Sequence, residues 1–387
     1  MINRSLSKKL KHLASKFPVV SVLGPRQSGK TTLVRDVFSK MDYVSLEDLD
    51  NREFAIKDPR GFLSTYSNGA VIDEAQRAPD IFSYIQTEVD KSQKAPRFIL
   101  TGSQNILLHE HISQTLAGRV AILKLLPLSC DELKKAGYKF NNLSDYIFTG
   151  FYPRIYDKKI APTDWYHNYI QTYVERDVRL IKNIPDLNTF QRFIKLCAGR
   201  IGQVLNLTSL GNDCGITHNT AKAWISILES SYVVFLLKPY FRNFNKRLIK
   251  MPKLYFYDTG LACSLLGIKT KGQLASHYSR GSLFESFVIS EILKYKFNRG
   301  VEHNCYFWRD KTGNEVDCVI EEAGSLLKIE IKSAKTVADD FFAGIKYFQK
   351  ITGKAPGKSY IVYGGGENQK RNIADLISWK DVISIFV

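Results

Sequence analysis

The chain has 387 residues, and its 55 lysines and arginines outnumber its 38 aspartates and glutamates by 17. Hydrophobic residues make up 44%, which is enough to build packed cores and excludes disorder as the main state. Unbroken apolar stretches reach only about six residues, against about 20 for a bilayer-spanning helix, so we expect no membrane span. The positive excess predicts attraction to polyanions, nucleic acid first, although a generally basic proteome is the alternative.

The amino terminus is basic and has the composition of a transit peptide. It runs directly into the apolar stretch 17–23, which we expect to be a core strand, so that cleavage there would destroy the fold. The six cysteines contain no C-x-x-C pair, which leaves a zinc ribbon and a disulfide scaffold unsupported and favours a reducing compartment. We therefore expect a cytoplasmic protein without a signal peptide.

A phosphate-binding loop follows this first strand. Residues 24–31 read G-P-R-Q-S-G-K-T and lead into a segment with helical spacing, which is the G-x-x-x-x-G-K-T pattern between strand and helix. The glycines let backbone N–H groups turn towards phosphate oxygens. Lys30 would contact the β- and γ-phosphates, and Thr31 would offer its hydroxyl to Mg²⁺. The residues expected to bind the nucleotide here are Gly24, Pro25, Arg26, Gln27, Ser28, Gly29, Lys30, Thr31 and Thr32.

An acidic pair ends the second predicted strand, at residues 69–76. Asp73 would hold Mg²⁺ through water, and Glu74 would polarise the attacking water. A third strand ends in T-G-S-Q, where Ser103 would sense the γ-phosphate; a plain turn is the alternative. Arg119 is a candidate for stabilising the transition-state charge, in its own chain or in a neighbouring subunit, and the alternative is an ordinary surface arginine.

These segments together resemble a family of uncharacterised bacterial and archaeal AAA-type ATPases, in which the ATPase domain precedes a conserved C-terminal domain of unknown function. The strings that carry the resemblance are GPRQSGKTT (24–32), VIDEAQ (71–76), LTGSQ (100–104), LAGRV (116–120), LLPLS (125–129), GFYPR (150–154) and YVERDVR (173–179). The resemblance implies an ASCE-type P-loop fold with an additional strand between the two Walker strands. It also implies ATP and Mg²⁺ as cofactors and Glu74 as the catalytic acid.

The middle of the chain is basic and predicts a winged helix that docks on DNA. Residues 160–280 contain 16 basic and 7 acidic residues, a net charge of +9. Residues 207–228 have the spacing of two helices around a tight turn, and two strands around a basic loop follow. A rigid spacer and a protein-binding module are the alternatives. The expected DNA contacts are His218, Asn219, Lys222, Lys246, Arg247 and Lys250.

A set of carboxylates and a lysine in the C-terminal third resembles the PD-(D/E)XK nuclease core. We expect an amphipathic helix and then three strands, with Asp317 on one strand and Glu330 and Lys332 on one face of the next. In that family the carboxylates bind Mg²⁺ or Mn²⁺ and the lysine orients the attacking water; Glu285, on the helix, would complete the metal site. Val316 stands where the family has a proline, and an inactive binding domain is the alternative.

We therefore predict a multidomain α/β protein: a P-loop ATPase domain with an AAA-like parallel sheet (residues 1–150), a helical linker with a winged helix (151–250) and a nuclease-like domain (251–387). ATP hydrolysis would move or gate the parts that face DNA, and a trans-acting Arg119 would require a homo-oligomer. In the alternative, the protein is a nucleotide-dependent switch whose C-terminal domain binds a protein partner. A third interpretation is a motor that binds DNA but carries an inactive nuclease fold.

Overall fold

The computed structural model describes residues 2–91, 95–103, 115–139, 142–173, 186–240, 250–322, 324–352 and 357–386. Contacts divide the chain into two compact units. The first unit comprises Met1–Ala136, Ser230–Tyr232 and Lys296–Glu302, and the second comprises Gly137–Glu229, Val233–Tyr295 and His303–Val387.

The first unit is built on a five-stranded sheet. Its strands are β1 (Val19–Leu23), β2 (Asp42–Ser45), β3 (Ala70–Asp73), β4 (Phe98–Gly102) and β5 (Val120–Lys124). They pair in parallel in the order β2-β3-β4-β1-β5. Since β4 lies between β1 and β3, the expected additional strand between the two Walker strands is confirmed. All residues of β1, β3 and β4 are buried, as is usual for the centre of a parallel sheet.

The helices described in this unit lie before, between and after its strands. They are α1 (Ser7–Ala14), α2 (Lys30–Val37), α3 (Leu49–Lys57), α4 (Pro59–Thr65), α5 (Ile81–Asp90) and α6 (Cys130–Lys135). Leu33 and Val34 of α2 share a buried cluster with Val20 and Val22 of β1. This packing fixes the start of α2 at the carboxyl end of β1, where the glycine loop lies.

The second unit begins with helices and a short two-stranded sheet. Its first elements are α7 (Leu143–Thr149), α8 (Pro153–Asp157), α9 (Pro162–Tyr169), α10 (Leu187–Gly199), α11 (Leu207–Cys214), α12 (His218–Ser230), β6 (Val234–Leu237) and β7 (Lys253–Phe256). The tight turn predicted between α11 and α12 is present: Gly215 has a φ of 76°, and the Thr217 hydroxyl accepts from the Thr220 N–H at 3.1 Å. Trp224 packs edge-on against Phe190 and Phe193 of α10. Strands β6 and β7 pair antiparallel.

A second five-stranded sheet completes this unit. The remaining elements are α13 (Thr259–Leu265), α14 (Lys271–Ser276), α15 (Arg280–Asn298), β8 (Cys305–Arg309), β9 (Glu315–Glu322), β10 (Ser325–Lys332), α16 (Ala343–Thr352), β11 (Ser359–Tyr363) and β12 (Asp375–Ser378). The strand order is β12-β11-β10-β9-β8. Strands β8, β9 and β10 are antiparallel neighbours, as the sequence predicts, whereas β11 and β12 add parallel pairs that it did not.

The structure also bears on the expected lack of a membrane span and on the state of the cysteines. Over the ranges that the structure describes, no helix has both the length and the apolar character required to cross a bilayer. The six cysteines, all within those ranges, are buried and form no disulfide.

Candidate active site

The glycine loop between β1 and α2 has the backbone of a phosphate cradle. Gly29 has a φ of 92° and Gln27 a φ of 66°. A left-handed conformation at a residue such as Gln27 costs of order 1 kcal/mol and is typical of functional loops. A Cβ on Gly24 would lie 2.1 Å from the carbonyl oxygen of Leu125, so this position requires glycine. The loop therefore keeps side chains away from the space where phosphate oxygens would bind.

Lys30 lies over this loop. Its Nζ donates to the carbonyl oxygens of Gly24 at 3.0 Å and Pro25 at 2.9 Å, and the side chain is buried. Burial lowers the pKa of Lys30, although the negative charges of Glu74 and Asp73 oppose that shift. Ser28 Oγ is also buried and meets no hydrogen-bond partner among the described residues. A buried hydroxyl facing a glycine loop fits a phosphate oxygen as its missing partner.

Asp73, at the end of β3, accepts hydrogen bonds from several hydroxyls. The Thr31 hydroxyl lies 3.0 Å from its Oδ2, the Tyr43 hydroxyl lies 2.8 Å from the same oxygen, and the Thr101 hydroxyl donates to Oδ1. Burial and the neighbouring Asp73 charge raise the pKa of Tyr43 to about 12. Carboxylate and hydroxyl oxygens suit Mg²⁺. The predicted metal residues Thr31 and Asp73 are therefore brought together, and their donor set fits the ion.

Glu74 follows Asp73 with a φ of 54°, in the left-handed region. Its N–H donates to the Thr101 hydroxyl at 3.3 Å, and its Oε2 accepts from the Ser103 hydroxyl at 2.9 Å and from the Gln76 amide. Burial favours a higher pKa for Glu74, but Lys30 and the hydrogen bonds from Gln76 and Ser103 outweigh it and lower that pKa. The carboxyl group is thus held ionised, which suits a base.

Arg119 is not brought to the phosphate loop of its own chain. It precedes β5, and its carbonyl accepts from the N–H of Val19 at the first residue of β1. The glycine loop follows the last residue of β1, and five residues of strand separate the two ends by more than about 13 Å. The Arg119 guanidinium instead pairs with Asp90. Of the two roles considered for Arg119, this geometry does not favour action within its own chain, and a role in a neighbouring subunit stays a prediction.

The remaining loop residues lie at the edge of the site. Arg26 pairs with Glu47 at 3.2 Å, with both side chains partly exposed. Thr32 is exposed on α2, whereas Pro25 is buried in the loop.

Sequence reasoning missed Arg4, in the segment before α1. Its guanidinium donates to the Ser28 carbonyl at 2.5 Å and the Leu126 carbonyl at 2.6 Å, and it pairs with Glu132 at 3.2 Å. Tyr43, Thr101 and Gln76 were missed in the same way. None of these side chains belongs to the loop motif.

A second cluster lies in the other unit. Carboxylate oxygens of Glu285, Glu315 and Asp317 all lie within 4.8 Å of one another. Lys253 Nζ lies 2.9 Å from Glu285 Oε1 and also bonds to Glu315, and the Tyr255 hydroxyl donates to Glu285. The expected pair Glu285 and Asp317 is therefore brought together, but Glu315 and Lys253 were not anticipated.

Glu330 and Lys332 adjoin this cluster on β10. Lys332 Nζ lies 2.8 Å from Glu330 Oε1, and the Ile331 N–H donates to Asp317 Oδ2 at 2.8 Å. Burial, with the charge of Asp317, raises the pKa of Glu330 to about 8, and burial raises the pKa of Glu285 to about 7 against the opposing charge of Lys253. Glu330 Oε2 is buried and has no hydrogen-bond partner among the described residues.

The expected DNA contacts are only partly within the described residues. His218, Asn219 and Lys222 are exposed on the first turns of α12, and Lys250 is exposed before β7. Lys246 and Arg247 lie outside the described residues. Lys253 belongs by sequence to the same basic stretch, but it is buried beside the carboxylates and does not face solvent.

Comparison with known proteins agrees with this geometry. The family profile described as an AAA domain matches residues 16–134, and two domains of unknown function, DUF8612 and DUF4143, match residues 140–272 and 280–382. The uncharacterized protein Rv2008c of Mycobacterium tuberculosis is 31% identical over 335 residues, which cover 86% of this chain and 74% of that protein. The uncharacterized protein Mb2031c of Mycobacterium bovis matches with the same values.

The chain belongs to this family, in which an AAA domain precedes C-terminal domains of unknown function. The resemblance inferred from the glycine loop and the strings that follow it is thereby confirmed. Among solved structures, the Walker-type ATPase paby2304 of Pyrococcus abyssi is similar with a TM-score of 0.48 and 14% identity, over 68% of this chain and 96% of that chain. The assignment of a P-loop ATPase fold therefore rests on the family match and the strand order, and not on this similarity.

Proposed function

We propose that the protein binds ATP with Mg²⁺ and hydrolyses it at the carboxyl ends of β1 and β3. The observation that carries the proposal is the convergence of Lys30, Thr31, Asp73 and Glu74 there. Parallel sheets bind their ligands at this edge. The family match to an AAA domain over the same residues supports it.

The charged and polar side chains of this site have different roles in the proposed reaction. Lys30 and the inward-turned N–H groups of the loop bind and orient the phosphates. Glu74 is the base that orients and activates the attacking water: its lowered pKa keeps the carboxylate ionised, and the Ser103 hydroxyl fixes its Oε2. Thr31 and Asp73 would hold Mg²⁺, which neutralises phosphate charge when it is bound.

Phosphate release from ATP tests this proposal. We expect turnover in the wild type that requires Mg²⁺ and stops with EDTA, and a loss of about 100-fold in Lys30→Ala. Lys40→Ala, which removes an exposed lysine beyond the end of α2, is the matched control. Equal turnover in the two variants would refute the assignment.

A second candidate function is metal-dependent cleavage of DNA by the second unit. The observation that favours it is the group of three carboxylates within 4.8 Å, beside the unpartnered buried oxygen of Glu330. With Glu330, the cluster contains four carboxylates. Three cations lie beside them: Lys253, Lys332 and Arg309, the last 3.3 Å from Glu315. One negative charge remains when all ionise, which fits a divalent cation with oxygen ligands. Lys332 would orient the attacking water.

A cleavage assay on plasmid, linear and branched DNA with Mg²⁺ or Mn²⁺, together with the ATPase assay, distinguishes the candidate functions. Cleavage that is lost in Asp317→Ala and Lys332→Ala would support a PD-(D/E)XK nuclease. DNA-stimulated ATPase without cleavage would select a motor with an inactive nuclease fold. No stimulation and no cleavage would select a nucleotide-dependent switch with a protein partner.

DNA docking through a winged helix is the remaining part of the proposal. It is supported by the exposed His218, Asn219 and Lys222 on α12 and by the antiparallel pair β6–β7 that follows α12 in the chain. A salt titration of duplex binding tests it, since each lost phosphate contact reduces the slope by about 0.9. A slope that is unchanged in Lys246→Ala/Arg247→Ala/Lys250→Ala would refute the wing contact.

A further inference from the structure

A cleft of the second unit lies along α10. Its volume is about 580 Å³, and its lining comes from α10, the end of α13 and Tyr278. This volume lies in the range of small-ligand sites. The cleft shares no residue with α12 or the carboxylate cluster.

The charged side chains that line this cleft are all basic. Arg192, Lys195 and Arg200 line it, and none of its described lining residues is acidic. Arg200 pairs at the margin with Asp213 of α11, and Arg192 and Lys195 are exposed, with Arg192 attracted to Asp186, which caps the start of α10. The sequence of α10 itself contains no aspartate or glutamate. The cleft therefore favours an anionic occupant.

The polar lining residues of α10, two of them basic, follow a single face of the helix. Residues 188, 191, 192, 195 and 199 recur at the spacing of α-helical neighbours, and the opposite face buries Phe190, Phe193, Ile194 and Cys197. From residue 188 to residue 199 this face is about 16 Å long. Since a stacked strand rises about 3.4 Å per nucleotide, the face has room for about five consecutive nucleotides.

An exposed aromatic side chain closes one side of the cleft. Tyr278 is 80% exposed, the largest exposed fraction among the large hydrophobic side chains that the structure describes. Its ring stacks on His277 with centroids 4.4 Å apart. An aromatic face beside a row of cations is the combination with which proteins bind unpaired bases and their phosphates, because duplex backbone alone offers no base to stack.

We propose that this cleft binds single-stranded nucleic acid, with a base stacked on Tyr278 and the adjoining phosphates on Arg192 and Lys195. The proposal requires neither ATP hydrolysis nor the duplex docking assigned to α12.

Fluorescence anisotropy of a labelled oligothymidylate with the full-length protein tests the proposal. We expect Tyr278→Ala to weaken binding about tenfold with an unchanged salt slope, and Tyr278→Phe to retain it. Arg192→Ala/Lys195→Ala should weaken binding and reduce the salt slope by about 1.4, which is 0.7 for each phosphate contact. Lys346→Ala/Lys350→Ala, two exposed lysines of α16, is the charge-matched control.

Three results would overturn the proposal. In the first, the α10 double variant binds the oligonucleotide like the Lys346→Ala/Lys350→Ala control. In the second, Tyr278→Ala weakens duplex binding as much as single-strand binding, which removes the role of the unpaired base. In the third, polyglutamate displaces the oligonucleotide at an equal concentration of charge, which assigns the cleft to an acidic protein segment. Because the substituted side chains are exposed, circular dichroism should show an unchanged fold in every variant.

Discussion

The hydroxyl of Thr31 lies 3.0 Å from Oδ2 of Asp73, and this contact joins the start of α2 to the end of β3. The two residues are 42 positions apart in sequence, and strand β4 lies between β1, which precedes α2, and β3, which ends at Asp73. They meet because parallel strands bring their carboxyl ends to one edge of the sheet. The predictions below concern the side chains that hold this edge and the second carboxylate cluster.

Tyr43→Phe should raise the Mg²⁺ concentration required for half-maximal ATP turnover by about tenfold. The substitution removes a hydroxyl that donates to Asp73 Oδ2 at 2.8 Å, and such partners of a metal ligand tune its affinity. The ring stays in place beside the Arg35 guanidinium, so the fold should be retained. A Mg²⁺ titration of phosphate release measures the effect. Tyr66→Phe, whose ring packs on Phe62, is the control, and an equal requirement in both variants would contradict the role of Tyr43.

Arg4→Met should lower the free energy of unfolding by about 3 kcal/mol and weaken nucleotide binding. The change leaves Glu132, which is 1% exposed, without its cationic partner, and removes donors from the carbonyls of Ser28 and Leu126. Urea unfolding and titration with a fluorescent ATP analogue measure both effects. Lys8→Met removes an exposed cation of α1 for comparison. Matching losses in the two variants would show that Arg4 contributes only surface charge.

Lys253→Met should destabilise the metal-free protein by about 3 kcal/mol, because the side chain is 4% exposed and its removal takes the buried ammonium away from the partly buried carboxylates of Glu285 and Glu315. Mn²⁺ should restore much of this loss by taking the place of the ammonium between Glu285 and Glu315. Thermal unfolding in EDTA and in Mn²⁺ measures both steps. Lys328→Met, at a buried lysine that donates to the Gly357 carbonyl, should not be rescued. If Mn²⁺ rescues neither variant, the cluster is not a cation site.

Glu330→Gln should stabilise the protein relative to wild type as the pH rises from about 5 to 9 in EDTA. The pKa of Glu330 is raised from 4.5 to about 8, so the folded chain keeps a proton that the unfolded chain releases in this window. The stability that this group contributes is complete below pH 4.5 and is lost as the pH rises through 8. The glutamine side chain does not titrate. Melting temperatures at both pH values, with Glu367→Gln as the exposed control, should show the difference growing only for Glu330→Gln.

The strand, loop and helix around the P-loop could be predicted from the sequence because they are specified locally, while the roles of the loop residues stay predictions. A glycine loop between a buried strand and a helix specifies its own backbone, and the acidic pair after β3 must then lie at the same sheet edge. Arg119 shows what the sequence pattern did not specify, namely the end of the sheet at which a residue lies. It precedes β5, whereas Lys30 follows β1, and in a parallel sheet these positions lie at opposite ends.

The side chains that complete both sites come from distant segments. Arg4 and Tyr43 reach the loop through tertiary packing, which no motif encodes. Lys253 had the pattern of a solvent-facing cation in a basic stretch, yet every residue of β7 is buried. Its burial depends on Glu285 and Glu315, which lie 32 and 62 positions further along the chain.

ATP binding and turnover by Glu74→Gln, measured side by side, test the central claim most directly. The account predicts nucleotide affinity within about threefold of wild type and turnover reduced by 100-fold or more, because the amide keeps the shape of the side chain but cannot act as a base. Glu47→Gln, at the partly exposed partner of Arg26, should turn over like wild type. Wild-type turnover in Glu74→Gln would contradict the assignment of ATP hydrolysis to this site.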